Sequence, residues 1–108
     1  MSMVIDLHAH VVLEESFGTA GEYGPELSSD AKVQDFRVGD YVMRVPYRGS
    51  VFMNAQKRVD AMDALGIDLQ LLSPNPLSFF GYINATDALR FARASNDAMV
   101  KHLSLIHI

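Results

Sequence analysis

The sequence predicts an α/β fold whose principal strands are parallel. Three observations lead to this class. An alternating apolar strand opens the chain, a helix over residues 54–66 is followed at once by a strand at residues 67–73, and a second helix begins near Asn84. Strands that alternate with helices are joined by right-handed crossovers, which produce a parallel sheet. The length of 108 residues allows one small domain or one piece of a larger one.

The first strand, at residues 3–13, alternates in polarity. The apolar residues of one parity are Ile5, Leu7, Ala9 and Val11. Asp6, His8 and His10 share the other parity. Successive side chains of a strand point to opposite faces, so both imidazoles are expected on the same face. Polar groups among β-branched neighbours indicate a buried strand with one chemically special face.

A long connection follows, over residues 14–53. Its first part is rich in glutamate and glycine, which predicts an exposed loop. Farther on, residues 33–38 and 41–45 flank Gly39-Asp40, a two-residue hairpin signal with glycine in the first position. The predicted pairs on the apolar face are Val38 with Tyr41, Phe36 with Met43, and Gln34 with Val45. On the other face, Arg37 is expected opposite Val42 and Asp35 opposite Arg44.

Both helices carry capping signals. Asn54 is expected to cap the first helix and Gly66 to end it, and Asn84 is expected to cap the second. The predicted apolar stripe of the first helix is Ala55, Val59, Met62 and Leu65. The predicted stripe of the second is Ala85, Ala88/Leu89, Ala92, Ser95/Asn96, Met99 and Leu103. Pro74 and Pro76 end the strand between the helices, because proline donates no hydrogen bond to a sheet.

Two parallel strands and two helices leave a sheet edge and much apolar helix surface uncovered. We therefore expect the chain to be a fragment of a larger fold. Residues 1–102 are assigned to that fold, and residues 103–108 form an unassigned apolar tail that stays apolar to its last residue.

Composition excludes several functions. A net charge of −4 argues against binding to nucleic acid or to an anionic membrane surface. The absence of cysteine excludes thiolate metal sites, so a metal site must use histidine and carboxylates. No apolar run approaches the ~20 residues of a membrane span. The expected protein is soluble and cytoplasmic.

The His8-x-His10 pair is the principal candidate site. Period-two spacing on a strand brings two imidazoles within chelating reach of one divalent ion. The alternative is two ordinary histidines on a half-exposed edge. Catalytic zinc usually has three protein ligands and a water, so the pair does not complete a site. His102 and His107 are not assigned as ligands.

Arg44 is the second candidate. A guanidinium can bind a substrate carboxylate through two hydrogen bonds. An ion pair with Asp35 across the hairpin is an equally good explanation. Ser73, Asn75 and the Phe79/Phe80 pair lie where a loop after the second strand would reach the site, although turn formation and core packing also account for them. No residue is assigned a catalytic role.

As a set, these features resemble the amidohydrolase superfamily, and within it the amidohydrolase-related branch that includes aminocarboxymuconate-semialdehyde decarboxylase. The matching blocks are Ile5-Asp6-Leu7-His8-Ala9-His10, the hairpin around Arg44, residues 58–67, Leu71-Leu72-Ser73-Pro74, and residues 95–99. The resemblance covers residues 3 to about 102. It implies an N-terminal fragment of a (β/α)₈ TIM barrel, with about two βα units and a β-hairpin insertion.

The resemblance also implies a function. Members are usually zinc-dependent, often homodimeric, and decarboxylate unsaturated or aromatic carboxylic acids. His8 and His10 match metal ligands for Zn²⁺ or another divalent ion, and Arg44 matches a residue that contacts the small-molecule substrate carboxylate. Hydrolysis of an amide or lactone on the same barrel is the alternative reaction. A non-catalytic binding or assembly fragment is the alternative from another class, and we expect the isolated fragment to be inactive.

Overall fold

The computed structural model describes residues 2–30 and 32–104, which form two sheets and two long helices. Strands β1 (Ile5–Val11) and β5 (Leu69–Pro74) form a parallel pair. An antiparallel sheet contains β2 (Glu26–Leu27), β3 (Gln34–Val38) and β4 (Tyr41–Val45), in that order. The helices are α1 (Ala55–Leu65) and α2 (Ala85–Ser104). Single 3-10 turns span Glu14–Ser16, Gly21–Tyr23 and Pro76–Ser78.

The expected TIM-barrel fragment is wrong. Among the described residues, β1 and β5 pair only with each other, and the other three strands form a separate antiparallel sheet. A barrel fragment consists of parallel strands that are each followed by a helix, whereas three of the five described strands pair antiparallel with one another. The prediction failed because the 14–53 connection, treated as an insertion, forms a separate sheet that carries the main hydrophobic core together with residues from outside the connection.

The main hydrophobic core lies on the antiparallel sheet. Phe36 on β3 is 1% exposed, and its ring centroid lies 5.3 Å from that of Tyr47. Phe80, in the loop before α2, and Phe91 of α2 stack edge to face with their ring centroids 4.9 Å apart. The buried cluster contains Val12, Ala20, Leu27, Phe36, Val38, Val45, Tyr47, Phe80 and Phe91. The glutamate- and glycine-rich stretch predicted as an exposed loop therefore contributes to the core through Ala20 and Leu27.

The predicted hairpin is confirmed in its register. β3 and β4 pair Val38 with Tyr41, Phe36 with Met43, Gln34 with Val45, Arg37 with Val42, and Asp35 with Arg44. Gly39 has a φ of 60° and Asp40 does not have a positive φ, as expected for a turn that requires glycine in its first position. On the face predicted to be mainly apolar, Gln34, Phe36 and Val38 of β3 are buried, whereas Tyr41 of β4 is 56% exposed.

The caps of α1 are also confirmed. The side chain of Asn54 accepts the Lys57 N–H at 2.9 Å, and Gly66 adopts the left-handed conformation with φ 72°. The predicted apolar stripe is only partly right, because Leu65 is 74% exposed and Arg58 is buried. Both buried residues of α1, Ala55 and Arg58, lie in its first turn, so the rest of the helix has little cover from the described elements.

Helix α2 begins as predicted, with the Asn84 side chain accepting the Asp87 N–H at 2.9 Å. Its buried residues are Phe91, Ser95, Ala98 and His102. Ser95 was on the predicted stripe, but Leu89 and Leu103 are exposed. Leu103 and Ser104 end this helix, and the rest of the predicted tail, residues 105–108, lies outside the described residues. Neither described helix combines the length and apolar character needed to cross a membrane.

Strand β1 is more exposed than predicted. Ile5 is 47% exposed and Leu7 is 72% exposed, whereas Val11 is buried. The expected burial required a second neighbouring strand and covering helices on both faces. With β5 as the one described partner, only the C-terminal end of β1 reaches a core, where Val11 packs with Leu13 and Ala98.

Candidate functional site

Two imidazoles converge on β1. The Nε2 atoms of His8 and His10 lie 3.0 Å apart, and the ring centroids are 4.8 Å apart with an interplanar angle of 89°. The two rings therefore lie on the same side of the strand, as the alternation predicted. His8 is exposed and His10 is half-buried.

The ladder between β1 and β5 is irregular beside this pair. Asp6 pairs with Gln70 and Ala9 pairs with Leu72, so three steps along β1 (6 to 9) oppose two along β5 (70 to 72). One extra residue on a strand is a β-bulge, which interrupts the ladder and redirects nearby side chains. The bulge includes His8, whose position therefore depends on contacts other than a regular ladder.

Ser73 orients the second imidazole. It pairs with His10 in the sheet, and its Oγ lies 2.9 Å from His10 Nδ1. A histidine that binds a metal through Nε2 carries its proton on Nδ1, and a hydroxyl oxygen can accept that proton's hydrogen bond. The sequence placed Ser73 near the site, and the structure puts it in contact with His10.

Asp6 carries the negative charge nearest to the pair in sequence. Its Oδ1 accepts the His8 backbone N–H at 3.0 Å, and its Oδ2 accepts a hydrogen bond from Gln70 Nε2 at 2.9 Å. The His8 N–H, and then the Gln70 amide, hold the pKa of the Asp6 carboxyl below its ordinary value of 3.8. The carboxylate is therefore ionised at neutral pH, where it favours a nearby cation.

Arg58 lies against the backbone of the same segment. Its guanidinium donates from Nη2 to the His10 carbonyl oxygen at 2.7 Å and from Nη1 to Gln70 Oε1 at 2.8 Å. Arg58 is 6% exposed, and burial lowers its pKa while Asp6 opposes that shift. Sequence reasoning assigned no role to Arg58 or Gln70. The sequence did contain a signal that Arg58 is buried. Arg58 lies three residues after Ala55 and four before Met62, which places it on the same helix face as these two residues of the predicted apolar stripe.

The histidine pair fits a divalent metal ion. Zinc–imidazole bonds are about 2.0–2.1 Å long, so two nitrogens of a tetrahedral site lie roughly 3.4 Å apart. The observed separation of 3.0 Å is that of a hydrogen bond between the two rings, in which one Nε2 carries the proton. Metal binding would displace that proton and widen the separation by a few tenths of an ångström. Across residues 2–30 and 32–104, no group of three or more His, Cys, Asp or Glu side chains is arranged to hold an ion. The described chain thus offers two ligands and a supporting carboxylate.

Arg44 lies on the antiparallel sheet and forms the cross-strand ion pair that was the alternative to substrate binding. Its Nη1 is 3.0 Å from Asp35 Oδ1 and 3.5 Å from Asp30 Oδ2, and its Nη2 donates to the Val33 carbonyl oxygen. Its side chain is 60% exposed. None of its recorded partners is a histidine of β1. The contact with a substrate carboxylate stays a prediction.

The other residues named from sequence have structural contacts. Asn75 donates to the Tyr47 hydroxyl at 3.1 Å, Phe80 packs in the core, and Phe79 is exposed. His102 is 7% exposed, and its Nε2 has no partner among the described residues. Burial, and then the nearby Arg58 charge, lower the pKa of His102. His107 lies outside the described residues.

Comparison with known proteins assigns no family. No protein-family model matches the chain, and no curated protein matches it significantly. The resemblance to the amidohydrolase-related branch therefore stays a prediction that rests on the blocks named above.

Proposed function

We propose that His8 and His10 bind one divalent metal ion, with Zn²⁺ as the first choice, and that the chain belongs to a metal-dependent carboxy-lyase. The observation that carries the metal site is the 3.0 Å separation of the two Nε2 atoms on one accessible face. The pattern around the pair, from Ile5 to His10 and from Arg58 to Ile67, supports the reaction class through its resemblance to amidohydrolase-related decarboxylases. The substrate class is then an unsaturated or aromatic carboxylic acid.

The residues of this chain have separate roles in the proposal. His8 and His10 supply nitrogen ligands, and Ser73 can accept a hydrogen bond from His10 Nδ1, which would leave Nε2 free for the metal. The ionised Asp6 favours a cation beside the pair. When bound, a divalent ion supplies Lewis acidity toward a substrate oxygen. Arg44 is the proposed carboxylate contact, because its guanidinium is largely exposed and has donors to share.

A zinc titration tests the metal site. The imidazole ¹⁵N signals of the chain are followed by NMR as Zn²⁺ is added, first for the unmodified protein and then for His8→Ala and His10→Ala. We expect weak binding, because two protein ligands do not complete a catalytic zinc site, and its loss in both variants. His102→Gln is the control, since it removes an imidazole that does not contact the pair. Equal zinc binding by all four proteins would refute the metal site.

Ligand preference tests the reaction class. Benzoate and benzamide are titrated into the zinc-loaded chain, and we expect the carboxylate to bind more tightly and Arg44→Ala to weaken that binding. A preference for the amide favours the hydrolase alternative. Turnover is not expected from the 108-residue chain alone. Release of carbon dioxide from benzoate by this chain would contradict that expectation.

A further inference from the structure

A buried guanidinium that has no carboxylate partner among the described residues contacts the backbone of the histidine pair. Arg58 is 6% exposed, and it forms no salt bridge with any described carboxylate. Its Nε has no hydrogen-bond partner in the described part of the chain. Its two recorded hydrogen bonds go to the His10 carbonyl oxygen and to Gln70 Oε1.

This arrangement costs stability. A buried charge needs hydrogen bonds or an opposite charge to replace its lost hydration, and a buried N–H without a partner adds to the cost. A leucine or methionine at this position of α1 would bury apolar surface with neither penalty. The feature that an aliphatic side chain lacks is a rigid fork of donors that can bind two acceptors at once.

Through these two acceptors, hydrogen bonds connect Arg58 to both histidines. One is the backbone carbonyl of His10 itself, at 2.7 Å. The other is Gln70, whose Nε2 donates to Asp6 Oδ2 at 2.9 Å, while Asp6 Oδ1 accepts the His8 N–H at 3.0 Å. Arg58 thus holds His10 directly and His8 through two side chains.

The contacts fall where the sheet gives least support. The register of β1 against β5 shifts between Asp6 and Ala9, so regular ladder hydrogen bonds do not fix the backbone at His8. The Asp6 carboxylate replaces them by accepting the His8 N–H, and Gln70 holds that carboxylate in place.

We infer that Arg58 is a positioning residue which, together with Gln70, holds the bulged segment of β1 so that the Nε2 atoms of His8 and His10 meet at one divalent ion. This inference rests on the proposed metal site. Arg58 itself does not contact the ion. Substitution of Arg58 should therefore change the metal affinity of the histidine pair but not the atoms that bind the metal.

Four variants separate this role from a general effect on folding. Arg58→Met keeps the bulk and removes every donor, and Arg58→Lys keeps the charge and a donor. Gln70→Glu keeps the acceptor for Arg58, but it replaces the donor to Asp6 with a second carboxylate that repels the Asp6 carboxylate. The matched control is Arg48→Met, because Arg48 also donates to backbone carbonyls, those of Ser28 and Leu27, but next to the antiparallel sheet.

Two readouts are compared for proteins whose circular dichroism matches the unmodified chain. The first is the Zn²⁺ dissociation constant from the NMR titration. We expect Arg58→Met to raise it on the order of tenfold or more, Gln70→Glu to raise it less, Arg58→Lys to recover part of the loss, and Arg48→Met to leave it unchanged. The second is hydrogen exchange of the His8 amide without metal, which should accelerate in Arg58→Met and Gln70→Glu only.

The outcomes distinguish this inference from the proposed function. If the unmodified chain binds zinc and both Arg58→Met and Gln70→Glu bind it equally well, the positioning role is refuted and the metal site stands. If the unmodified chain binds no zinc, the proposed metal site fails, and the inferred role in metal binding fails with it. If Arg58→Met does not fold, Gln70→Glu decides, because unchanged zinc affinity and unchanged His8 exchange in that variant would refute the role.

Discussion

Replacement of Ser73 by alanine should weaken zinc binding by about 2- to 12-fold. The Ser73 Oγ lies 2.9 Å from His10 Nδ1, in a half-buried position opposite His10 in the sheet. A neutral hydrogen bond contributes a net free energy of about 0.5–1.5 kcal/mol, and each 1.4 kcal/mol corresponds to a factor of ten in affinity. Without this bond, His10 can rotate and can move its proton to Nε2, where it blocks the metal.

The assay is the same NMR titration with Zn²⁺, with unfolding in urea measured in parallel. The matched control is Ser78→Ala, because the buried Ser78 Oγ donates to the Asn75 carbonyl oxygen at 2.6 Å and does not contact the histidine pair. Ser78→Ala should lower the free energy of unfolding and leave zinc affinity unchanged. The reasoning is refuted if Ser73→Ala binds zinc as tightly as the unmodified chain, or if Ser78→Ala weakens binding equally.

Three further predictions concern the fold. Phe36→Ala should lower the free energy of unfolding by about 3–5 kcal/mol, whereas Val42→Ala on the exposed face should lower it by less than about 1 kcal/mol. If urea unfolding shows equal decreases for the two variants, a core on β3 is refuted. Asn54→Ala should cost about 1 kcal/mol by removing the α1 cap, and no change in the urea midpoint would contradict it. Burial lowers the pKa of His102 below 6.5, so as the pH decreases the imidazole is protonated in the unfolded chain before it is protonated in the folded chain. The free energy of unfolding should therefore fall as the pH decreases below 6.5. His102→Gln should reduce this pH dependence, and an unchanged pH dependence would exclude His102 as its source.

Local patterns predicted local structure well. The alternation in β1 placed His8 and His10 on one face, the Gly39-Asp40 turn fixed the hairpin register, and Asn54 and Asn84 cap the two helices. Each of these features depends on hydrogen bonds and side-chain directions within a few residues, which propensity and spacing determine directly.

Features that depend on distant contacts were not predictable in the same way. Leu7 and Leu65 are exposed because the parallel sheet has two strands in the described residues, and the sequence of β1 contains nothing that reveals how many neighbours it has. Ala20 and Leu27 are buried by side chains far along the chain, although their neighbours in sequence are loop formers. Composition within a short window describes solvent preference and does not determine which other segments cover it.

The supporting contacts of the candidate site show the same limit. His8 and His10 follow from a two-residue spacing, but Arg58 reaches them across 48 residues of sequence and Gln70 reaches Asp6 across 64. An arginine on a helix that carries charged neighbours normally indicates a solvated surface. The position of Arg58 on the same helix face as Ala55 and Met62 pointed to burial, but its partners on β1 and β5 are distant in sequence and were not predictable.

The most direct test of the account is whether one zinc ion is shared by His8 and His10. In an NMR titration of the unmodified chain, the Nε2 signals of both imidazoles should shift together in one saturable step with one equivalent of Zn²⁺ bound. In His8→Ala, the shift of the His10 signal should be lost over the same concentrations. Separate titration of the two signals, or no shift in either, would contradict a shared metal site.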